Sequence, residues 1–137
     1  MAVTAVQLGS PRASDEGLRI GTVRRPPRGV KKSDYASRDY YDVWLPELAP
    51  SEGLRSWAMS RPWTSQRWDT FARRYRAEMA APAAARLLAL LRALARTTTF
   101  AIGCYCPDES RCHRSVLLDL LRSGDPPPTR KKTRRKI

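Results

Sequence analysis

Along this chain the spacing of apolar residues switches between a period of two and a period near four, and the switches mark the elements. Leu18-Arg19-Ile20-Gly21-Thr22-Val23-Arg24 alternates apolar with other residues and reads as a strand. It stops at Pro26-Pro27, since proline brings no N–H to an inner ladder and stiffens the chain. Tyr41 to Leu45 predicts a second, short strand ending at Pro46. Ser51 then caps a helix striped by Leu54, Trp57 and Ala58, with Glu52 in the first turn favouring its dipole. Thr64 or Ser65 caps a longer helix in which Trp68, Phe71, Ala72, Tyr75 and Met79 share one face. Arg67, Arg73, Arg74 and Arg76 fall on its solvated side.

Pro82 suits the first turn of a third helix, from Ala83 to about Arg96, striped by Leu87, Leu88, Leu90, Leu91 and Leu94. Thr98 to Cys104 is β-branched and aromatic, which predicts a buried strand. Val116, Leu117, Leu120 and Leu121 stripe a last helix closed by Gly124. Strands joined through helices pair in parallel by crossover. The fold class expected is therefore α/β: a single compact domain of two or three layers, with a small mostly parallel sheet and several covering helices. It should occupy 18–124, after a flexible lead-in over 1–17 that shows no usable period. A proline-rich linker and basic disordered tail should follow over 125–137.

Composition narrows the class. A chain of 137 residues holds one modest core, and 42% hydrophobic with 28% charged residues fits a folded, soluble protein. The opening MAVTAVQLGS is too short and too soon interrupted for a secretory segment, and no apolar run approaches membrane-spanning length. The expectation is a cytoplasmic protein with no membrane partner. In that reducing compartment three cysteines within nine positions suit metal ligation or reactive thiols better than disulfides.

The net charge is +13, and six cations of the last nine residues account for part of it, leaving +7 over Met1 to Thr129. Such a balance attracts polyanions, so an anionic small molecule or a nucleic acid is the expected partner. Arg24, Arg25 and Arg28 cluster where the Leu18 strand ends. They read either as a solvated loop or as an anion cradle, because the guanidinium fork matches phosphate and carboxylate. Tyr40, Tyr41 and Trp44 read either as a base-stacking face or as packing.

The chemistry gathers in Thr98 to Arg114, which holds all three cysteines and the only histidine. Cys104 and Cys106 share a strand face, and Pro107 ends the strand. Ser110 should cap a helix starting at Arg111, placing Cys112 and His113 in its first turn. There amide N–H groups, the dipole and the flanking Arg111 and Arg114 favour a thiolate, so Cys112 is expected to be the most acidic thiol and His113 neutral. Three readings stand. Cys104, Cys106, Cys112 and His113 can be a zinc set, although the spacing is not the paired one of most structural sites and adjacent ligands strain a tetrahedron. Cys112 or Cys106 can act as a nucleophile or redox centre assisted by His113 or Cys104. Or the cysteines simply pack as small hydrophobes.

IGTVRRPPRGVKKSDYASRDYYDVWLPELAPS, FARRYRAEM and FAIGCYCPDESRCHRSVLLDLL together resemble the YeaO-like family, domain of unknown function four-eight-eight, from about Leu18 to Arg122. The resemblance implies a compact α/β domain with a small mostly parallel sheet and brings no established activity. It is to the branch carrying Cys-x-Cys and Cys-His-Arg, matched by Cys104, Cys106, Cys112, His113 and Arg114.

In open parallel sheets ligands gather outside the carboxyl ends of the strands. One shared site is therefore expected, with Arg24, Arg25, Arg28, Arg111 and Arg114 holding an anion. Cys112, His113, Cys106 and Cys104 carry the chemistry, with or without zinc, and Asp42 and Trp44 line the rim. The function expected is a small enzyme using a thiol or thiol-bound metal on an anionic substrate such as a nucleotide or nucleic acid. The alternative is a non-catalytic nucleic-acid-associated module with a structural cysteine–histidine cluster.

Overall fold

Alternation along one central strand explains how the chain layers itself. The computed structural model describes residues 2–122. Four strands, β1 (Val3–Gln7), β2 (Leu18–Gly21), β3 (Val43–Trp44) and β4 (Phe100–Cys104), form a single sheet in the order β1-β4-β2-β3. Every pairing is parallel: Val3 to Gln7 against Phe100 to Cys104, Leu18 to Gly21 against Phe100 to Gly103, and Ile20 and Gly21 against Val43 and Trp44. Phe100 and Ile102 of β4 join Val3 and Ile20 in the main core. Gly103, next after Ile102, faces Leu8, and Gly21 faces Tyr41, in a second, smaller cluster across the sheet.

All helices supply the main core. They are α1 (Glu52–Met59), α2 (Ser65–Met79), α3 (Pro82–Ala95) and α4 (His113–Arg122). Their starts follow the expected chemistry. The Ser51 hydroxyl accepts the Leu54 N–H at 3.1 Å, Thr64 accepts from Arg67 at 3.1 Å, and Pro82 opens α3. The predicted stripe of α2 puts Phe71, Tyr75 and Met79 inside, and the Tyr75 hydroxyl donates to the Leu48 carbonyl at 2.6 Å. The α/β class and the parallel sheet agree with the expectation.

Two elements differ. Residues 1–17 were expected to be a mobile lead-in, yet Val3–Gln7 is an edge strand of the sheet, with Val3 buried. Its ladder partner lies nearly a hundred positions downstream, so no local periodicity announces it. The connection from β1 to β2 is also anchored. The fully buried Arg19 guanidinium donates to both carboxylate oxygens of Glu16 at 2.7 and 2.9 Å, and to the carbonyls of Ser10 and Asp39. Gly17 makes the turn at φ +79°, where a Cβ would stand 2.0 Å from the Thr99 carbonyl oxygen. The expected cap at Gly124, the proline-rich linker and the basic tail lie outside the described residues.

Candidate functional site

β2 and β4 are parallel neighbours, so both release their chains at one sheet edge. β4 ends at Cys104. After Pro107, Asp108 accepts the Ser110 N–H at 3.1 Å and its hydroxyl at 2.7 Å, closing a 3-10 turn over Glu109–Arg111. The last helix therefore does not begin at Arg111 under a Ser110 cap; Asp108 caps the turn, and α4 begins at His113. Cys112 remains extended (φ −131°, ψ 144°) between the turn and α4. That break in backbone direction lets two adjacent side chains approach one point.

The sulfurs of Cys104 and Cys112 and a ring nitrogen of His113 all lie within 4.8 Å of one another, with Cys112 Sγ 3.8 Å from His113 Nδ1. On its other side the ring meets β2: Nε2 stands 2.7 Å from the Thr22 carbonyl oxygen, an acceptor only. Nε2 therefore carries the hydrogen, and in the neutral ring Nδ1 keeps its lone pair toward the sulfur. Tyr75 packs edge-on against the imidazole with ring centroids 5.5 Å apart. Cys106 is not part of the cluster; its sulfur turns to the Asp108 carbonyl at 3.6 Å.

Hydrogen bonding decides which thiol ionises first. Cys104 receives the Cys112 S–H, the largest influence, and also accepts the Cys106 N–H, and it is held well below the ordinary thiol range despite its burial. Cys112 is raised, first because it donates to Cys104 and then because it is buried. Cys104, and not the Cys112 expected from a helix start, is therefore the lowered thiol, because Cys112 lies before α4 and donates to Cys104.

The cluster floors a cleft of about 540 Å³. Val23, Trp63 and Phe71 contribute apolar wall, and Arg24, Arg25, Arg55, Arg61 and Arg111 ring it against one carboxylate, Glu52. Arg24 is steadied by Nε donating to the Pro50 carbonyl at 3.0 Å, and Arg25 pairs with Glu52. Arg111 lies over the Trp68 ring at 5.7 Å. The Tyr105 hydroxyl donates to the Arg25 carbonyl at 2.8 Å and so joins the two loops.

Other residues singled out from sequence stand elsewhere. Arg28 is exposed and outside the cleft lining. Arg114 is buried, and its NH1 donates to the carbonyls of Val6, Cys104 and Cys106 at 3.2, 3.3 and 2.8 Å, so it clamps backbone instead of holding a ligand. Asp42 accepts two hydrogen bonds from Arg12 and one from the Arg19 N–H, and does not line the rim. Trp44 stacks on the buried Tyr41 and donates to the Val23 carbonyl at 2.6 Å, also away from the rim. Conversely, nothing in the spacing marked Thr22, Arg55 or Arg61. Thr22 acts through its carbonyl, and the two arginines look like ordinary polar positions on and after α1.

A parallel α/β sheet whose strand ends hold a buried cysteine–histidine cluster under an arginine-ringed cleft defines the class. The chain belongs to the family described as "Active DUF488-N3 subclade", matched over residues 3–124. It is 34% identical over 107 residues to uncharacterized proteins of Mycobacterium bovis and of two Mycobacterium tuberculosis strains, covering 78% of this chain and 82% of each relative. No solved structure matches it. No helix among the described residues is long and apolar enough to cross a membrane.

Proposed function

We propose that this chain is an enzyme acting on an anionic organic molecule of about nucleotide size, bound in the cleft above Cys104, Cys112 and His113. The observation that carries the reading is the placement of the electron-rich cluster on the floor of a cleft ringed by arginines. The Arg55 and Arg61 guanidinium groups have no hydrogen bond or ion pair to another described residue, which leaves their forks available to an anionic group. Trp63 and Phe71 offer an apolar surface for the rest of the molecule, and the volume falls within the usual range for small-ligand sites, roughly 300–1,000 Å³. The family description "active" favours catalysis over a purely structural cluster. So does Cys106: with its sulfur turned away, the cluster is one ligand short of a closed structural zinc site. A reducing cytoplasm suits a centre built of free thiols.

Calorimetry on the purified full chain tests this, with inorganic phosphate, adenosine monophosphate and adenosine as probes. The nucleotide should bind more tightly than the nucleoside, weaken with salt, and lose most of its affinity in the Arg55→Gln/Arg61→Gln variant. Equal weak binding of all three, unchanged by the double substitution, would sink the reading.

A further inference from the structure

We infer that Cys104, Cys112 and His113 are the three protein ligands of a zinc-class divalent ion whose fourth position opens on the cleft. The inference rests on the enzymatic reading above and names the cofactor of that same site.

Four features of the geometry support it. First, donors around a tetrahedral zinc stand about 3.5–3.8 Å apart, given bonds of about 2.3 Å to sulfur and 2.0 Å to nitrogen. The 3.8 Å from Cys112 Sγ to His113 Nδ1 already matches, and all three donors lie within 4.8 Å, so loading asks only for rotamer-scale adjustment. Second, a metal-binding imidazole characteristically donates its other N–H to a carbonyl or carboxylate, which fixes its tautomer. Thr22 does this for His113. Thr22 is itself held by its N–H and its hydroxyl, both donating to the Gly103 carbonyl at 2.9 Å.

Third, the objection that neighbouring residues strain a tetrahedron falls away, because Cys112 is extended while His113 begins α4. Fourth, the donor set is sulfur and nitrogen with no carboxylate, which selects a borderline-soft ion over magnesium or calcium. Cys104, Cys112 and His113 all line the cleft, so the remaining coordination position faces the space that would hold water or a substrate atom. Cys106 also lines the cleft, but its sulfur is turned to the Asp108 carbonyl and lies outside the donor set.

The test is cobalt(II) titration of the reduced, chelator-treated full chain, followed by zinc competition. One equivalent per chain should produce the visible bands of tetrahedral thiolate-bound cobalt, and zinc should abolish them. Cys104→Ser, Cys112→Ser and His113→Asn should each weaken cobalt binding by at least about ten-fold, whereas Cys106→Ser should leave it unchanged. Should a ligand variant fail to fold, alkylation of the wild-type chain gives a second readout. Zinc should protect Cys104 and Cys112, but not Cys106, as mapped by mass spectrometry. Absence of the cobalt bands, or protection that includes Cys106 and spares Cys104, overturns the metal site. Nucleotide affinity measured on the same samples separates the two claims: binding without metal leaves the enzymatic reading standing, and metal without nucleotide binding leaves only the site.

Discussion

The backbone carbonyl of Thr22 takes the Nε2 hydrogen of His113 across 2.7 Å, although the two residues are 91 positions apart. The end of β2 thus orients a ring at the start of α4, and the ring presents its other nitrogen to the sulfurs. Because the acceptor is main chain, substitution of the Thr22 side chain leaves this bond in place. Thr22→Val should remove the hydroxyl's bond to the Gly103 carbonyl and its 3.2 Å contact with His113 Nε2, at a cost of about 1 kcal/mol in urea denaturation, with cobalt affinity retained. Loss of cobalt binding in that variant would show that the hydroxyl, and not the carbonyl, sets the ring.

In metal-free protein Cys104 should alkylate faster than Cys106 or Cys112. Its folded-state pKa is lowered, so the thiolate persists as pH falls below the ordinary thiol value near 8.5 and disappears only on passing the folded value. Rates of iodoacetamide labelling, resolved by peptide mapping between about pH 5 and pH 9, report this directly. A fastest site at Cys112 would restore the helix-start argument.

Glu16 and Arg19 form a buried pair, and breaking it leaves an unmatched charge. Glu16→Gln should destabilise the fold by about 3 kcal/mol near neutral pH. The Arg19 hydrogen bond holds the Glu16 carboxyl below its ordinary value. Its contribution is therefore full above the unfolded-state value near 4.3 and is lost as pH falls through the folded value. Denaturation midpoints of wild type and variant should converge in acid; a gap that stays constant would refute the pairing.

Arg114→Met should destabilise by about 2 kcal/mol, since a buried charged donor is removed from the part-buried carbonyls of Val6, Cys104 and Cys106. Hydrogen exchange of the 105–112 loop should rise with it. If the variant instead keeps its stability and loses only nucleotide affinity, Arg114 is a ligand-binding residue after all.

Gly21→Ala places a Cβ 2.4 Å from Tyr41 Cδ2, against a ring that is 4% exposed and has little room to give. A cost of about 1–3 kcal/mol is expected from overpacking, measured by thermal unfolding. Tyr41→Leu in the same background should recover part of it.

The helices were legible because their signals are local. Ser51, Thr64 and Pro82 stand where their capping chemistry requires, and Phe71, Tyr75 and Met79 repeat within the element they stabilise. β4 and the cysteine–histidine stretch were legible for the same reason. β1 was not, because the reason Val3 is buried lies in Phe100. The roles of Cys104 and Cys112 followed from which sulfur donates, which a spacing does not carry. Arg114 resembled Arg111 in sequence, yet one step along α4 turns it from the cleft to three carbonyls. Arg55 and Arg61 gained significance only from the loops that fold beside them.

The sheet order has a consequence for synthesis on the ribosome. β4 lies between β1 and β2 and pairs with both, while Arg122 donates to the Val3 carbonyl at 2.9 Å. A nascent chain that has released β1, β2 and all of α1 to α3 still lacks the strand that joins them. β1 must wait with its ladder edge open until residues 100–122 arrive, so completion of the sheet depends on a long-range pairing. During that interval the apolar faces of α2 and α3 have no completed sheet to cover, and truncation anywhere before β4 removes the strand that joins β1 to β2.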